Sequence, residues 1–286
     1  MTSFSSSDQK KMALSLNSAA LAFAPAVQPV RTHAASAAAA VRMETLADLD
    51  GLANGLNPKI TPTRYDPLGL AEANFWGAGE EATIGFLRHA EIKHGRVAMM
   101  AFVGYCVQAN GFYFPFQLTT SGVTYADISA AGGPPDQWDA LPTAAKLQIF
   151  GAISFLELCG ERSDLLEAQG GKHYMMGGKP GVYPSIKAAG VPHPVPLDLY
   201  DPLGFSKSRS DEKKAKGLLA EINNGRLAML GIMGFLAESK VPGAVPALKG
   251  LITPYAGEPM SPFSASDSLP LVKEMLESFP KLGGSF

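Results

Sequence analysis

A stretch that occurs twice constrains this chain more than any other feature. Residues 90 to 105 read AEIKHGRVAMMAFVGY and residues 220 to 235 read AEINNGRLAMLGIMGF, identical at eight of sixteen positions without a gap. Identity at that density marks an internal repeat. In each copy a glutamate is followed five residues later by an arginine, Glu91 with Arg96 and Glu221 with Arg226, and an apolar run begins at once. Any fold of this chain must find partners for those charges beside a hydrophobic segment. Residues five apart lie about 140° around a helix, whereas side chains that meet are three or four apart. Neither glutamate therefore reaches its own arginine, and the repeat offers the alternative: Glu91 with Arg226 and Glu221 with Arg96, two reciprocal ion pairs between the copies. Small residues in each copy, Gly95, Ala98 and Gly104, then Gly225, Ala228 and Gly234, would let the two helices approach closely.

Periodicity and punctuation predict three long helices, over about 83–108, 143–163 and 212–239. Asn110 and Gly111 stop the first, Thr143 after Pro142 is the expected N-cap of the second, and Pro242 and Gly243 stop the third. The intervening segments are rich in Gly and Pro. Residues 269 to 279 place Val272, Met275, Leu276 and Phe279 on one face of a short amphipathic C-terminal helix. Residues 1–43 differ in kind: Ser and Ala dominate, Lys10, Lys11, Arg31 and Arg42 face only Asp8, and an apolar core (ALSLNSAALAFA, 13 to 24) follows the lysine pair. They read as a bipartite targeting presequence, secretory-like to about Ala22 and basic and Ala-rich from Phe23 to Met43, leaving 44–286 as the functional domain.

Whether the helices cross a membrane is decided by loops rather than hydropathy. A span needs roughly 20 mostly apolar residues, and the uninterrupted runs, 97–107 and 227–237, are about half that. Yet no Lys or Arg lies between Arg96 and Lys146, while Arg162, Lys172, Lys179, Lys187, Lys207, Arg209, Lys213, Lys214 and Lys216 crowd the next connection. That asymmetry follows the positive-inside rule. It predicts an all-α membrane protein with three transmembrane helices, of which helices 1 and 3 are a crossed pseudo-twofold repeat, the N-terminus lying on the basic side. A net charge of −2 leaves no basic footprint for nucleic acid. Cys106 and Cys159 form no disulfide framework, and the topology sends them toward opposite membrane faces, so both should be free thiols.

The charged clusters also present metal donors. Glu91 and His94, and likewise Glu221 and Asn224, are three apart and share a helix face. Carboxylate, imidazole and amide donors scattered singly along helices do not build an octahedral cage for a bare magnesium ion, but each supplies the axial donor that a magnesium held in a macrocycle still needs. Helix 2 adds Gln148 and Glu157, nine apart and so on opposite faces. Glu157 requires an ion, an interhelical partner or a proton. Glu238 and His89 are weaker candidates, near helix ends where water would solvate them. A proton or ion path through the buried charges is the competing reading from another class, for which three spans are few.

These residues carry a resemblance. EIKHGRVAM and EINNGRLAM, flanking a middle helix and each preceded by YDPLG (65–69 and 200–204), resemble the paired motifs of the light-harvesting chlorophyll-binding superfamily. The middle segment LQIFGAISFLEL and the loop DISAAGGPPDQWDALP are more similar to its fucoxanthin chlorophyll a/c branch, and ALAFAP around Phe23 resembles the presequence junction of algae with secondary plastids. The resemblance implies a plastid thylakoid antenna, multi-pass with a stromal N-terminus, that binds chlorophyll a, chlorophyll c and a fucoxanthin-type carotenoid. It would pass excitation to a photosystem core, beside other antenna subunits and thylakoid lipids, without catalytic turnover. Axial ligands map onto Glu91, His94, Glu221 and Asn224, ion pairs onto the glutamates and arginines above, and helix-2 pigment positions onto Gln148 and Glu157. Carotenoid ends fall near Asp66 and Asp201. Glu238 stands where the family usually has a glutamine ligand. A photoprotective member that discharges excitation as heat is the alternative within the family, with Asp127, Asp136 and Asp139 as acid-sensing candidates or simply a solvated loop.

Overall fold

The computed structural model describes Thr45, Leu46, Leu49 and residues 65–188, 190, 201, 203–205 and 208–278. The expected presequence lies outside the described residues. The described helices are α1 (Glu80–Ala109), α2 (Tyr125–Ser129), α3 (Pro134–Asp139), α4 (Thr143–Glu161), α5 (Ser163–Glu167), α6 (Asp211–Lys240) and α7 (Val272–Ser278). Among the described residues there is no strand beyond an isolated bridge between Gln117 and Thr124. The architecture is helical, and the three long elements fall where periodicity predicts them, to within three residues.

α1 opens with Glu80 and Glu81 in its first turn, where carboxylates favour the positive helix end. It ends at Asn110 and the left-handed Gly111 (φ 70°), the stop read from the sequence. Thr143 is not the cap of α4. Pro142 holds that position, and the Thr143 hydroxyl instead donates to Asp267 Oδ1 at 2.8 Å. The loop between α1 and α4 is more ordered than a turn-rich linker: Thr124 and Asp127 form a capping box on α2, and Asp136 caps α3 through the Gly133 N–H at 3.0 Å. Asp139 accepts from the Tyr255 hydroxyl at 2.7 Å. These three aspartates are hydrogen-bonded fixtures of the loop, with Asp127 at an exposed position.

α1 and α6 are the closest-packed pair of helices. They cross at Gly95 and Gly225, where a Cβ added at Gly225 would lie 2.9 Å from Gly95 Cα. Only glycine on both sides permits that approach. The helices run in the same direction, because Phe102 and Tyr105 beyond one glycine each stack on Phe235 beyond the other, with centroids 4.9 Å apart. Burial repeats with the sequence: Ile92, Gly95 and Ala98 are buried in one copy, and so are Ile222, Gly225 and Ala228 in the other.

α4 stands apart from this pair and packs closely on neither. Leu147, Ile149, Ile153, Phe155 and Leu158 are exposed along it, as are Val97, Met100 and Val103 on α1 and Leu227, Leu230 and Met233 on α6. No helix of the described residues is long and apolar enough to cross a membrane. The charges inside α1 and α6 are what interrupt the apolar length. α4 is anchored at both ends instead. At its start the Lys146 ammonium, fully buried, meets Asp267 Oδ2 at 2.7 Å. Trp138 donates to the Pro262 carbonyl at 2.9 Å and Phe150 packs on Phe263, so residues 255–267 form a strap across α3 and the head of α4. At the other end Cys159, Leu165 and Ile186 form a small core with Leu156 and Tyr183, whose hydroxyl donates to the Leu156 carbonyl at 2.8 Å. Burial pushes the Tyr183 phenol up to about 12. Both cysteines are free.

Candidate functional site

The crossing of α1 and α6 gathers the residues that the repeat singles out. Arg96 Nε donates to Glu221 Oε1 at 2.5 Å, and Arg226 Nε donates to Glu91 Oε1 at 2.6 Å. Each arginine meets the glutamate of the other copy, on either side of the Gly95 and Gly225 contact. The two pairs are not equivalent. Glu91 Oε2 also bonds Arg88 one turn earlier, so its carboxylate is forked between two guanidinium groups. Among the described residues Glu221 is bonded by Arg96 alone, and its Oε2 accepts no hydrogen bond. Arg96 in turn donates from its terminal nitrogen to the Gly181 carbonyl at 2.7 Å. Gly181, from a distant loop, leaves no sign in the sequence of joining this cluster, and Arg88 lies outside the repeat. Gly181 has φ +76°, and a Cβ there would come within 2.9 Å of Ile92, so the loop can lie on α1 only with glycine at that point.

His94 and Asn224 occupy matching positions and are both exposed. His94 Nδ1 lies 2.8 Å from the Ala90 carbonyl. A carbonyl only accepts, so Nδ1 carries the proton and Nε2 keeps a lone pair directed away from the backbone. Metal-bound histidines are oriented in this way, through a second-shell bond from the other ring nitrogen. Beside His94 the exposed neighbours are apolar, Val97 and Met100, and beside Asn224 they are Leu227 and Leu230. These side chains would suit a magnesium carried by an apolar ring system. Among the described residues no three His, Cys, Asp or Glu side chains converge to hold a bare metal ion.

The remaining candidates divide. Gln148 is exposed on α4, apart from the crossing. Glu157 has found an interhelical partner: its Oε2 bonds the Lys93 ammonium, which lies 3.7 Å from Glu161 as well. Glu238 does not sit in water near a helix end. It is 3% exposed, and its two oxygens accept the N–H groups of Gly243 and Val245, each at 2.8 Å. The carboxylate closes the end of α6, satisfying backbone donors in the turn beyond it, and both oxygens are committed to that task. His89 is likewise buried rather than solvated. It stacks on Tyr174 with centroids 3.9 Å apart, and its Nδ1 accepts the Gly181 N–H at 3.1 Å. Tyr174 donates to Glu161 Oε2 at 2.8 Å, and burial together with that carboxylate raises the phenol above its ordinary range. Asp66 accepts the N–H groups of Leu70 and Ala71, both at 2.9 Å, which folds the first DPLG turn.

Comparison with known proteins bears on the same residues. A family model described as chlorophyll A-B binding protein matches residues 47–240, which contain both copies of the repeat and α4. The chain is similar to the fucoxanthin-chlorophyll a-c binding protein F of Phaeodactylum tricornutum, chloroplastic by description, with 31% identity over 230 residues, 79% of this chain and 93% of the relative. It is similar to a fucoxanthin-chlorophyll a-c binding protein of Trieres chinensis, with 30% identity over 64% of this chain and 76% of the relative. Protein F of Macrocystis pyrifera is 28% identical over 62% of this chain and 69% of its own length.

Proposed function

The chain belongs to the chlorophyll A-B binding protein family, on its fucoxanthin-chlorophyll a-c side, and from that premise we propose a light-harvesting antenna subunit. It binds chlorophyll a, chlorophyll c and a fucoxanthin-type carotenoid in the plastid thylakoid membrane and passes excitation to a photosystem, with no turnover of its own. The observation that carries the reading is His94. Its Nδ1 is tied to the Ala90 carbonyl at 2.8 Å, which leaves Nε2 on an apolar, exposed helix face where it would hold a pigment's magnesium. Asn224 is its counterpart on α6, and Glu91 and Glu221 complete the proposed ligand set, with Gln148 and Glu157 serving α4. Glu221, with an oxygen to spare, is the better magnesium donor of the two glutamates. Glu91, forked between Arg88 and Arg226, is chiefly the joint between the helices. The protein holds pigments at fixed spacing and orientation on rigid elements.

In this reading α1, α4 and α6 span the membrane, with α1 and α6 related by a pseudo-twofold axis. The 30 residues of α1 and of α6 extend about 45 Å each and the 19 of α4 about 29 Å, against the roughly 30 Å of a hydrocarbon core. Cross-pairing of Glu91, Arg226, Glu221 and Arg96 removes the unpaired charges that would oppose insertion. The exposed apolar faces are then the lipid and pigment surfaces.

Purification from a pigment-competent host in mild detergent, with absorption spectra and pigment analysis, tests the function. A coloured complex containing chlorophyll and carotenoid is expected, and a colourless one refutes the antenna reading. His94→Leu and Asn224→Leu are each expected to remove a single chlorophyll while the fold persists. Unchanged pigment counts in both would overturn those ligand assignments.

A further inference from the structure

The segment that follows α1 exposes what a loop in water ordinarily hides. Phe112, Tyr113, Phe114 and Phe116 are each more than half exposed, and no Asp, Glu, Lys, Arg or His lies between Arg96 and Asp127. At about 150–250 Å² per aromatic side chain, the four present roughly 400–500 Å² of aromatic surface, a patch of the size that is often functional. The rings are held in place. Phe114 stacks on Phe116 with centroids 5.3 Å apart, and Tyr125 meets both edge-on. The backbone doubles back through the bridge between Gln117 and Thr124, where the Leu118 N–H donates to the Val123 carbonyl at 2.8 Å. The finger so formed continues an exposed apolar stripe of α1, Val97, Met100, Val103 and Val107, and its Phe112 N–H is tied back to the Val107 carbonyl at 3.2 Å.

The depth of this finger follows from the helices. Gly95 and Gly225 stand at the middle of α1 and α6, so a bilayer centred on the two helices is centred on their crossing. The end of α1 at Ala109 is about 21 Å along the axis from Gly95, and helix tilt brings it a few ångström nearer the mid-plane. Half of the hydrocarbon core is about 15 Å, and half of the bilayer with its headgroups about 20–22 Å. We propose that the finger is an interfacial anchor, whose Phe112, Phe114 and Phe116 enter the lipid at the headgroup boundary, among uncharged headgroups of the leaflet opposite the basic loops. It carries no cation to draw anionic lipid, and the next acidic residues, Asp127 and Asp136, are engaged in helix caps. A face for a protein partner in water would lie beyond the headgroups. The charges of Glu91 and Arg96 interrupt the apolar length of α1, so that length alone does not fix how deep the helix sits, whereas aromatics at the interface do. The anchor thereby sets the level of His94 in the bilayer. The inference rests on the membrane-spanning reading of α1 and adds what the loop beyond it touches.

The test uses the full pigmented chain in vesicles of an uncharged phospholipid. A nitroxide is attached at Phe114→Cys in a Cys106→Ser background, with the buried Cys159 left in place, and its collisions with oxygen and with a water-soluble nickel chelate are read by electron paramagnetic resonance. The same label at Met100→Cys, on the exposed stripe near the crossing, is the reference for the membrane core. At position 114 oxygen is expected to dominate while nickel still reaches the label, the signature of the headgroup boundary. Adding Phe112→Ser and Phe116→Ser should raise nickel collision there several-fold. Nickel collision at position 114 as frequent as for a nitroxide free in water would overturn the proposal, and so would a label that neither reagent reaches, which is covered by protein or pigment. A label at Met100 that also lies in water would refute the spanning helix, and the anchor with it. A pigmented complex with Met100 shielded and position 114 in water would overturn the anchor alone and leave the antenna reading standing.

Discussion

Replacing Lys146 or Asp267 separates two consequences of breaking the same buried pair. The side chains are 0% and 2% exposed, so water does little to screen them. Asp267 also accepts from the Thr143 hydroxyl at 2.8 Å and from the Ser264 N–H at 2.9 Å. Burial alone would raise its pKa, but Lys146, Ser264 and Thr143 outweigh burial and hold it below the ordinary carboxylate value. A depressed pKa contributes stability that is fully present above the unfolded value and is lost only as pH falls through the folded one. The wild-type strap is therefore expected to stay closed from pH 7 to pH 5.

In Lys146→Met the carboxylate loses its ammonium and can take up a proton, at a cost of about 4 kcal/mol at pH 7 and about 1.5 kcal/mol at pH 5. Those figures are ceilings, because Thr143 and Ser264 still serve the anion. In Asp267→Asn the ammonium is stranded instead, with an expected loss of about 3–5 kcal/mol. Acidification cannot neutralise an ammonium, so that loss should not shrink at pH 5. Hydrogen exchange of the strap amides, including the Tyr255 N–H bonded to the Ser239 carbonyl, reads both effects in the detergent-solubilised complex. Lys146→Met should regain protection from pH 7 to pH 5, and Asp267→Asn should not. The same loss in both variants at both pH values would refute the account.

Gly225→Val should prevent α1 and α6 from closing, since its Cβ alone would lie 2.9 Å from backbone that cannot move aside; size-exclusion of the solubilised complex shows whether assembly fails. Arg96→Leu removes both the bond to Glu221 and the hold on the Gly181 carbonyl, so faster exchange is expected around residue 181, where Arg226→Leu leaves it unchanged. Glu238→Gln keeps only one acceptor for the two N–H groups beyond α6 and should cost about 1 kcal/mol of thermal stability, with chlorophyll content intact in the pigment analysis. Loss of a chlorophyll in that variant would restore Glu238 to the ligand set.

What the sequence disclosed follows the range of its interactions. The cross-pairing of Glu91, Arg96, Glu221 and Arg226 is legible because the repeat duplicates the problem and helical spacing forbids the local answer. The extents of α1, α4 and α6 follow from periodicity and from stops such as Gly111. The pair of Lys146 with Asp267 leaves no such trace, since 121 residues separate the partners and neither stands in a motif. Glu238 reads as a ligand because the donors it serves, at Gly243 and Val245, belong to a turn with no periodic signature. The difference between Glu91 and Glu221 depends on Arg88, whose spacing of three from Glu91 is visible in the sequence but easily passed over beside the repeat. His94 is legible as a candidate, but which nitrogen is the donor needs coordinates.

The separation of α4 from the other long helices gives the two parts of the fold different prospects before pigment arrives. α1 and α6 are zipped by glycine contact and ion pairs of their own, whereas among the described residues α4 is fastened at its ends, by Asp267 at one and by Lys93, Leu165 and Ile186 at the other. Among the described residues its middle packs closely on neither α1 nor α6. A chain short of pigment would thus be expected to keep α1 and α6 paired while α4 shifts between its two fastenings, so that the occupants of the gap set where the third long helix stands.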